Sequence, residues 1–264
     1  MKITAALAWW DELPEDLDRC IRSLGHIADK VVAVDGAYRR YPGATITSPQ
    51  DQVVAIREAA TSVGIECEVI QIDRLWAGQV EKRAHLLNAA GIGSDWIAVV
   101  DTDHIISTDR ELARDEISHM GPDVDVISVT FFTPANDERD INESSATGWH
   151  QSMNGTRINL SHLFRALPGL TVERFHWWYA ATKDGQRVGL RYGMKADDGH
   201  PILEAQMLKT PYEITHLCLT RDEKHILANR AFCNDRVMVV ERTQQEDDVP
   251  GLPDPVFDYV TIPY

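Results

Sequence analysis

Trp96-Ile97-Ala98-Val99-Val100-Asp101-Thr102-Asp103 is the stretch on which the fold turns. Its first five residues are apolar, uninterrupted and partly β-branched, the pattern of a short strand buried on both faces. Two carboxylates follow where that strand leaves the core. In an open α/β sheet, ligands bind beyond the carboxyl ends of the strands. Hard oxygen donors at such an end suit Mg²⁺ or Mn²⁺ held against phosphate. Side chains at i and i+2 of an extended strand share a face but stand roughly 6.6 Å apart. Both therefore reach one cation only if the chain turns here, or if one acts through water. The plainer reading makes Asp101 and Asp103 turn and cap residues, with His104 to Asp109 as the loop and helix cap that follow.

Upstream, Gly78 to Ala90 has the spacing of an amphipathic helix, with Val80, Ala84, Leu87 and Ala90 on one face. Ile3 to Trp10 predicts a first strand, and Pro14 to Leu24 a helix with proline in its first turn. Lys30 to Asp35 is a second buried strand, ending on Asp35-Gly36. Pro49 to Val63 predicts a helix and Cys67 to Ile72 a third strand. The order βαβαβαβ predicts an α/β fold, a mostly parallel sheet flanked by helices. The character of the chain changes near residue 134, which divides it into two halves of one domain, 1–133 and 134–264. Pro134 to Gly155 is polar and aperiodic, long for a loop, and reads as a functional lid or a partly mobile segment. Thr156 to Leu163 and Gln186 to Arg191 read as short strands, Glu223 to Cys233 as a helix. Asp247 to Tyr264 reads as an extended acidic tail or a homo-oligomer contact.

The chain has 264 residues, with 26 Lys and Arg against 41 Asp and Glu, a formal net charge of −15. Without a basic stripe it is not expected to bind nucleic acid, whose phosphates need clustered cations. An acidic protein can still take a nucleotide diphosphate through a metal and a few local basic residues. Cys20, Cys67, Cys218 and Cys233 have no CxxC spacing and read as reduced thiols. Met1-Lys2 leads straight into a strand, with no leader pattern. No apolar stretch approaches the roughly 20 residues of a membrane span. A cytoplasmic protein with no integral membrane segment is the expectation.

The first 105 residues resemble a GT-A glycosyltransferase, close to the large family-2 type of nucleotide-sugar enzymes. The stretches that carry the resemblance are Trp10-Asp11-Glu12, Ser23-Leu24, Val34-Asp35-Gly36, Lys82-Arg83 with Asn88, and Asp101-Thr102-Asp103. Leu163-Phe164-Arg165 with Pro168-Gly169 and His176 is similar to the acceptor-side segment of such enzymes. Thr215-His216 with Arg221 and Arg230 is similar to their C-terminal metal and phosphate segment. Ala84 departs from the Asn many relatives carry, and Trp177 from the Glu some carry after the His.

The resemblance implies a GT-A (Rossmann-like) fold whose first half binds a nucleoside-diphosphate sugar, expected to be UDP-linked, and whose second half takes an unknown acceptor. It implies Mn²⁺ or Mg²⁺ on Asp101 and Asp103, with His216 completing the site; the alternative for His216 is a core histidine beside Leu217 and Leu219. Lys82 and Arg83 would pair with phosphate or with Asp101, or else lie on a solvated helix face. Arg221 or Arg230 would clamp the pyrophosphate. Asp35 would accept from a pyrimidine N–H, or else only shape the turn before Gly36, and Ala8 to Trp10 would supply backbone and an aromatic edge. Glu173 and His176 are the preferred candidates for the general base, with Asp197 and Asp198 behind them. Phe175, Trp177, Trp178 and Tyr179 would stack on sugar or pack in the core. Two other classes compete. A sugar-1-phosphate nucleotidylyltransferase opens with a Gly-rich phosphate loop after its first strand, whereas Ala8 to Glu15 contains no Gly. A non-catalytic carbohydrate-binding protein of the same fold would not need both Asp101 and Asp103.

Overall fold

The computed structural model describes residues 1–39, 43–135, 155–173, 179–190 and 201–217, with the backbone of 239–240 and 258–259. The chain alternates strand and helix as far as β4: β1 (Ile3–Ala8), α1 (Pro14–Leu24), β2 (Lys30–Val34), α2 (Gln50–Ser62), β3 (Glu66–Ile70), α3 (Gln79–Gly91) and β4 (Trp96–Val100). Then come β5 (His104–Thr108), α4 (Arg110–Ser118), β6 (Val126–Phe132), β7 (Arg157–Arg165), β8 (Thr171–Val172), β9 (Tyr179–Lys183) and β10 (Gln186–Leu190). The last described elements are β11 (Ile202–Leu203), β12 (Gln206–Met207), β13 (Tyr212–His216), β14 (Val239–Val240) and β15 (Asp258–Tyr259).

Helix α1 shows why the early elements are so well marked. Pro14 sits at its start, Glu15 and Asp16 in the first turn and Arg22 in the last, each suited to the helix dipole. Leu17, Cys20, Ile21 and Leu24 recur at one-face spacing and are buried.

A nine-stranded sheet runs β3-β2-β1-β4-β7-β6-β13-β5, with β12 also on β6. The four strands β3, β2, β1 and β4 are parallel. Beyond them the sheet is mixed: β7 is antiparallel to both β4 and β6, and β5 is antiparallel to β13. The expectation of a mostly parallel sheet therefore holds for the first hundred residues and is corrected beyond them. The reason is that β7 and β13 come from the second half and insert into the first-half sheet. The segment after Asp103 is also corrected, from loop to strand β5. Its burial alternates at His104 and Ile106, as a strand with one covered face requires, and only Asp109 acts as the expected cap, accepting from Leu112 N–H at 3.0 Å.

Two apolar layers cover the large sheet. Ile3, Ala5 and Leu7 of β1 and Trp96, Ala98 and Val100 of β4 face α1, α2 and α4. The intervening Ala6, Ile97 and Val99 face α3 and the small sheet β11-β10-β9-β8. Asp125, 1% exposed, joins the two sheets by accepting the Lys183 ammonium and lying 3.3 Å from Arg165 Nε. Among the described residues, no helix is long and apolar enough to cross a membrane.

His162 on β7 is fully enclosed, its Nε2 3.0 Å from the Tyr212 hydroxyl. Burial pushes its pKa down to about 3. An unfolded histidine titrates near 6.5. Between those values the unfolded chain binds a proton that the folded chain refuses, so this contribution to stability is complete above pH 6.5 and is lost as pH falls. The slope approaches about 1.4 kcal/mol per pH unit for one proton. Urea midpoints measured from pH 7 to pH 4.5 should fall more steeply for wild type than for His162→Gln; parallel profiles would remove His162 from the acid response.

Candidate active site

The carboxyl ends of β1 to β4 come together at one edge, and the chain segments leaving them are stitched to one another. After β4 the chain turns at once: His104 N–H donates to Asp101 O at 3.0 Å, closing a tight turn over Asp101-Thr102-Asp103. The turn removes the extended separation of the two carboxylates. It sends them to different partners.

Asp101 accepts from Arg83 at 2.6 Å, an ion pair in which the guanidinium is largely buried. Asp103, whose side chain is 11% exposed, stands between two imidazoles, with His216 Nε2 at 3.5 Å from Oδ2 and His104 Nε2 at 3.8 Å from Oδ1. Strand pairing accounts for this meeting. In the antiparallel register of β13 and β5, His216 lies opposite His104. Leu217 N–H then donates to Asp103 O at 2.8 Å, tying the end of β13 to the turn. One donor atom from each of Asp103, His104 and His216 falls within 4.8 Å of the others. A carboxylate with imidazole is a donor set that fits a divalent transition ion such as Mn²⁺ more closely than Mg²⁺, which prefers oxygen throughout.

Lys82 and Arg83 are both buried, and neither lies on a solvated face. Helix α3 crosses β1 and β2, so Lys82 Nζ reaches the Trp9 and Gly36 carbonyls at 2.7 Å each. Burial pushes the Lys82 pKa down to about 7, against the pull of Asp35. Burial also opposes the charge on Arg83, but Asp101 outweighs it and holds the guanidinium protonated. Arg83 acts electrostatically on Tyr179, whose phenol pKa is pushed up to about 12 by burial. Its Nε is enclosed without a partner.

Asp35 is 1% exposed. Its carboxylate accepts from Gly36 N–H (2.6 Å), Ser48 N–H (2.8 Å), Ser48 Oγ (2.5 Å) and Gln71 Nε2 (2.8 Å). These donors fill the roughly four lone-pair positions of a carboxylate. Asp35 thereby anchors the segment 45–48 and Gln71 to the strand end, and the expected contact with a base would have to displace one of these donors. Gly36, at φ +106°, is the residue this turn requires, because a Cβ there would lie 2.8 Å from Ile46 O. Trp10 lies half-buried over the same segment, donating to Thr45 Oγ1 at 2.8 Å.

The remaining stitches were not foreseen from sequence. Asp11 N–H donates to Ser48 Oγ at 2.9 Å, and Thr102 Oγ1 donates to Glu12 at 2.9 Å, linking the segments after β1, β2 and β4. His104, Ser48, Gln71 and Tyr179 belong to the site through contacts that no local spacing announces. Cys20 Sγ approaches Asp101 O at 3.5 Å, but burial drives its thiol pKa up, so it stays a neutral thiol. Cys20 and Cys67 are both free.

Glu173, at the end of β8, is ion-paired with Arg187 at 2.5 Å. His176, Trp177, Asp197, Asp198, Arg221 and Arg230 lie outside the described residues, as do most of the expected lid and the expected helix from Glu223. Compared with known protein families and with curated protein sequences, the chain matches none.

Proposed function

We propose that this protein is a metal-dependent glycosyltransferase of the GT-A type, similar to family 2, that moves a sugar from a nucleoside-diphosphate sugar to an acceptor. The observation that carries the proposal is the tight turn at the end of β4, which sets Asp101 against Arg83 and Asp103 against His216. Glycosyl transfer leaves negative charge on a departing diphosphate, and cations placed in a dry site offset that charge without reorganising. A divalent cation on Asp103, His216 and the Asp101 turn would supply Lewis-acid stabilisation of that leaving group. Arg83 holds Asp101 in place and carries its own positive charge to the same edge. Lys82 fixes the two strand ends that frame the nucleotide side. Trp10 offers its aromatic edge to the base, and uridine is the expected base. Glu173 and His176 stay the candidates for the general base, and a Glu173 base requires release from Arg187.

Thermal melts with UDP, GDP and ADP, each with and without Mn²⁺ or Mg²⁺, test the reading. UDP with Mn²⁺ is expected to give the largest stabilisation, and UDP alone little. Equal shifts for every nucleotide, independent of metal, would sink it.

A further inference from the structure

Distance alone presents His104 and His216 as equivalent neighbours of Asp103. Hydrogen bonding separates them. The Asp101 N–H donates to His104 Nδ1 at 3.1 Å. That nitrogen therefore keeps its lone pair, and in the neutral ring the proton resides on Nε2. A protonated Nε2 donates; it cannot ligate. It faces Asp103 Oδ1 at 3.8 Å. Turning the ring over would put Cε1 where Nε2 faces Asp103 and Cδ2 where Nδ1 accepts from Asp101 N–H, losing both polar contacts. The ring is also enclosed, edge-on to Phe131 at 5.2 Å and to His216 at 5.2 Å. His104 thus closes the turn twice, through its own N–H to Asp101 O and through Nδ1 from Asp101 N–H.

We propose that His104 is a positioning residue, not a metal ligand: it holds the Asp101–Asp103 turn and aims Asp103, while His216 supplies the only imidazole from this pair to the cation. The inference rests on the metal-dependent reading above. It makes the site selective through one nitrogen donor.

The test has two readouts besides turnover. In metal-free protein, nitrogen NMR of labelled histidine should find His104 as the Nε2–H tautomer. With Mn²⁺ and UDP, electron paramagnetic resonance gives both the ion's affinity and the nitrogen couplings of bound Mn²⁺. Loss of a group that orients a metal ligand typically weakens metal binding by about 10–100-fold. His104→Ala is expected to weaken Mn²⁺ about 10-fold yet keep the nitrogen coupling. His104→Asn, whose Oδ1 can accept the Asp101 N–H, should restore most of the affinity. His216→Ala should abolish the coupling. An Nδ1–H tautomer, a coupling lost in His104→Ala, or an unchanged affinity in that variant would overturn the inference while leaving the glycosyltransferase reading intact. Wild-type protein that binds no Mn²⁺ with UDP would overturn both.

Discussion

Asp103→Ala is expected to erase the metal-dependent part of nucleotide stabilisation. Wild type at about 100 times the dissociation constant gains roughly 2.7 kcal/mol from a bound ligand. For a chain of this size that is a melting shift of roughly 5–10 °C. Asp103 is the residue on which this depends, because its carboxylate faces His216 at 3.5 Å and its side chain is mostly enclosed by the turn and by β13. Removing it leaves one imidazole and the Asp101 carboxylate, which is already held by Arg83. The backbone bond from Leu217 to Asp103 O does not involve the side chain and survives, so the metal-free melt serves as the reference for each variant. Equal Mn²⁺-dependent shifts in wild type and Asp103→Ala would remove Asp103 from the metal site.

Lys82→Met is expected to destabilise the metal-free protein by about 2–4 kcal/mol. It preserves side-chain volume but leaves the Trp9 and Gly36 carbonyls without their donor, and an unsatisfied buried acceptor costs about 1–3 kcal/mol. The pH dependence carries its own sign. The folded pKa is pushed down to about 7, whereas an unfolded lysine titrates near 10.4. Between those values the unfolded chain binds the extra proton, so the Lys82 contribution to stability rises with pH across that window and is least favourable below pH 7. Denaturation of wild type minus Lys82→Met, followed from pH 7 to pH 9, should show that rise. A neutral Lys82→Met, or a difference flat with pH, would mean that the ammonium is solvated.

The first hundred residues were legible because β1, β2 and β4 are buried on both faces and read as largely apolar runs. Pro14, Glu15 and Asp16 mark α1 at its first residue. Strand β5 was hidden because His104, Ser107 and Thr108 look like turn residues, and its partner β13 lies about a hundred residues away. The mixed character of the sheet was hidden for the same reason, since β7 enters between β4 and β6 through long-range pairing. Charge leaves the choice open: Lys82 and Arg83 could have lain on a solvated face, because lysine and arginine are rarely buried unless satisfied, and their satisfaction comes from Trp9, Gly36 and Asp101. Asp35 stood out correctly as a special strand-end acid, but the donors that saturate it come from Ser48 and Gln71, which nothing local connects to it. Asp101 and Asp103 were found from their place after β4, whereas the division of labour between His104 and His216 needs the register of β5 against β13.

The most direct measurement is product analysis of UDP-sugars incubated with this protein and Mn²⁺ in the absence of acceptor. Slow hydrolysis to UDP and free sugar is predicted, dependent on Mn²⁺ and lost in Asp103→Ala. Release of UMP and sugar phosphate, or UDP-sugars left intact by a protein that neither binds UDP nor responds to Mn²⁺, would contradict the assignment.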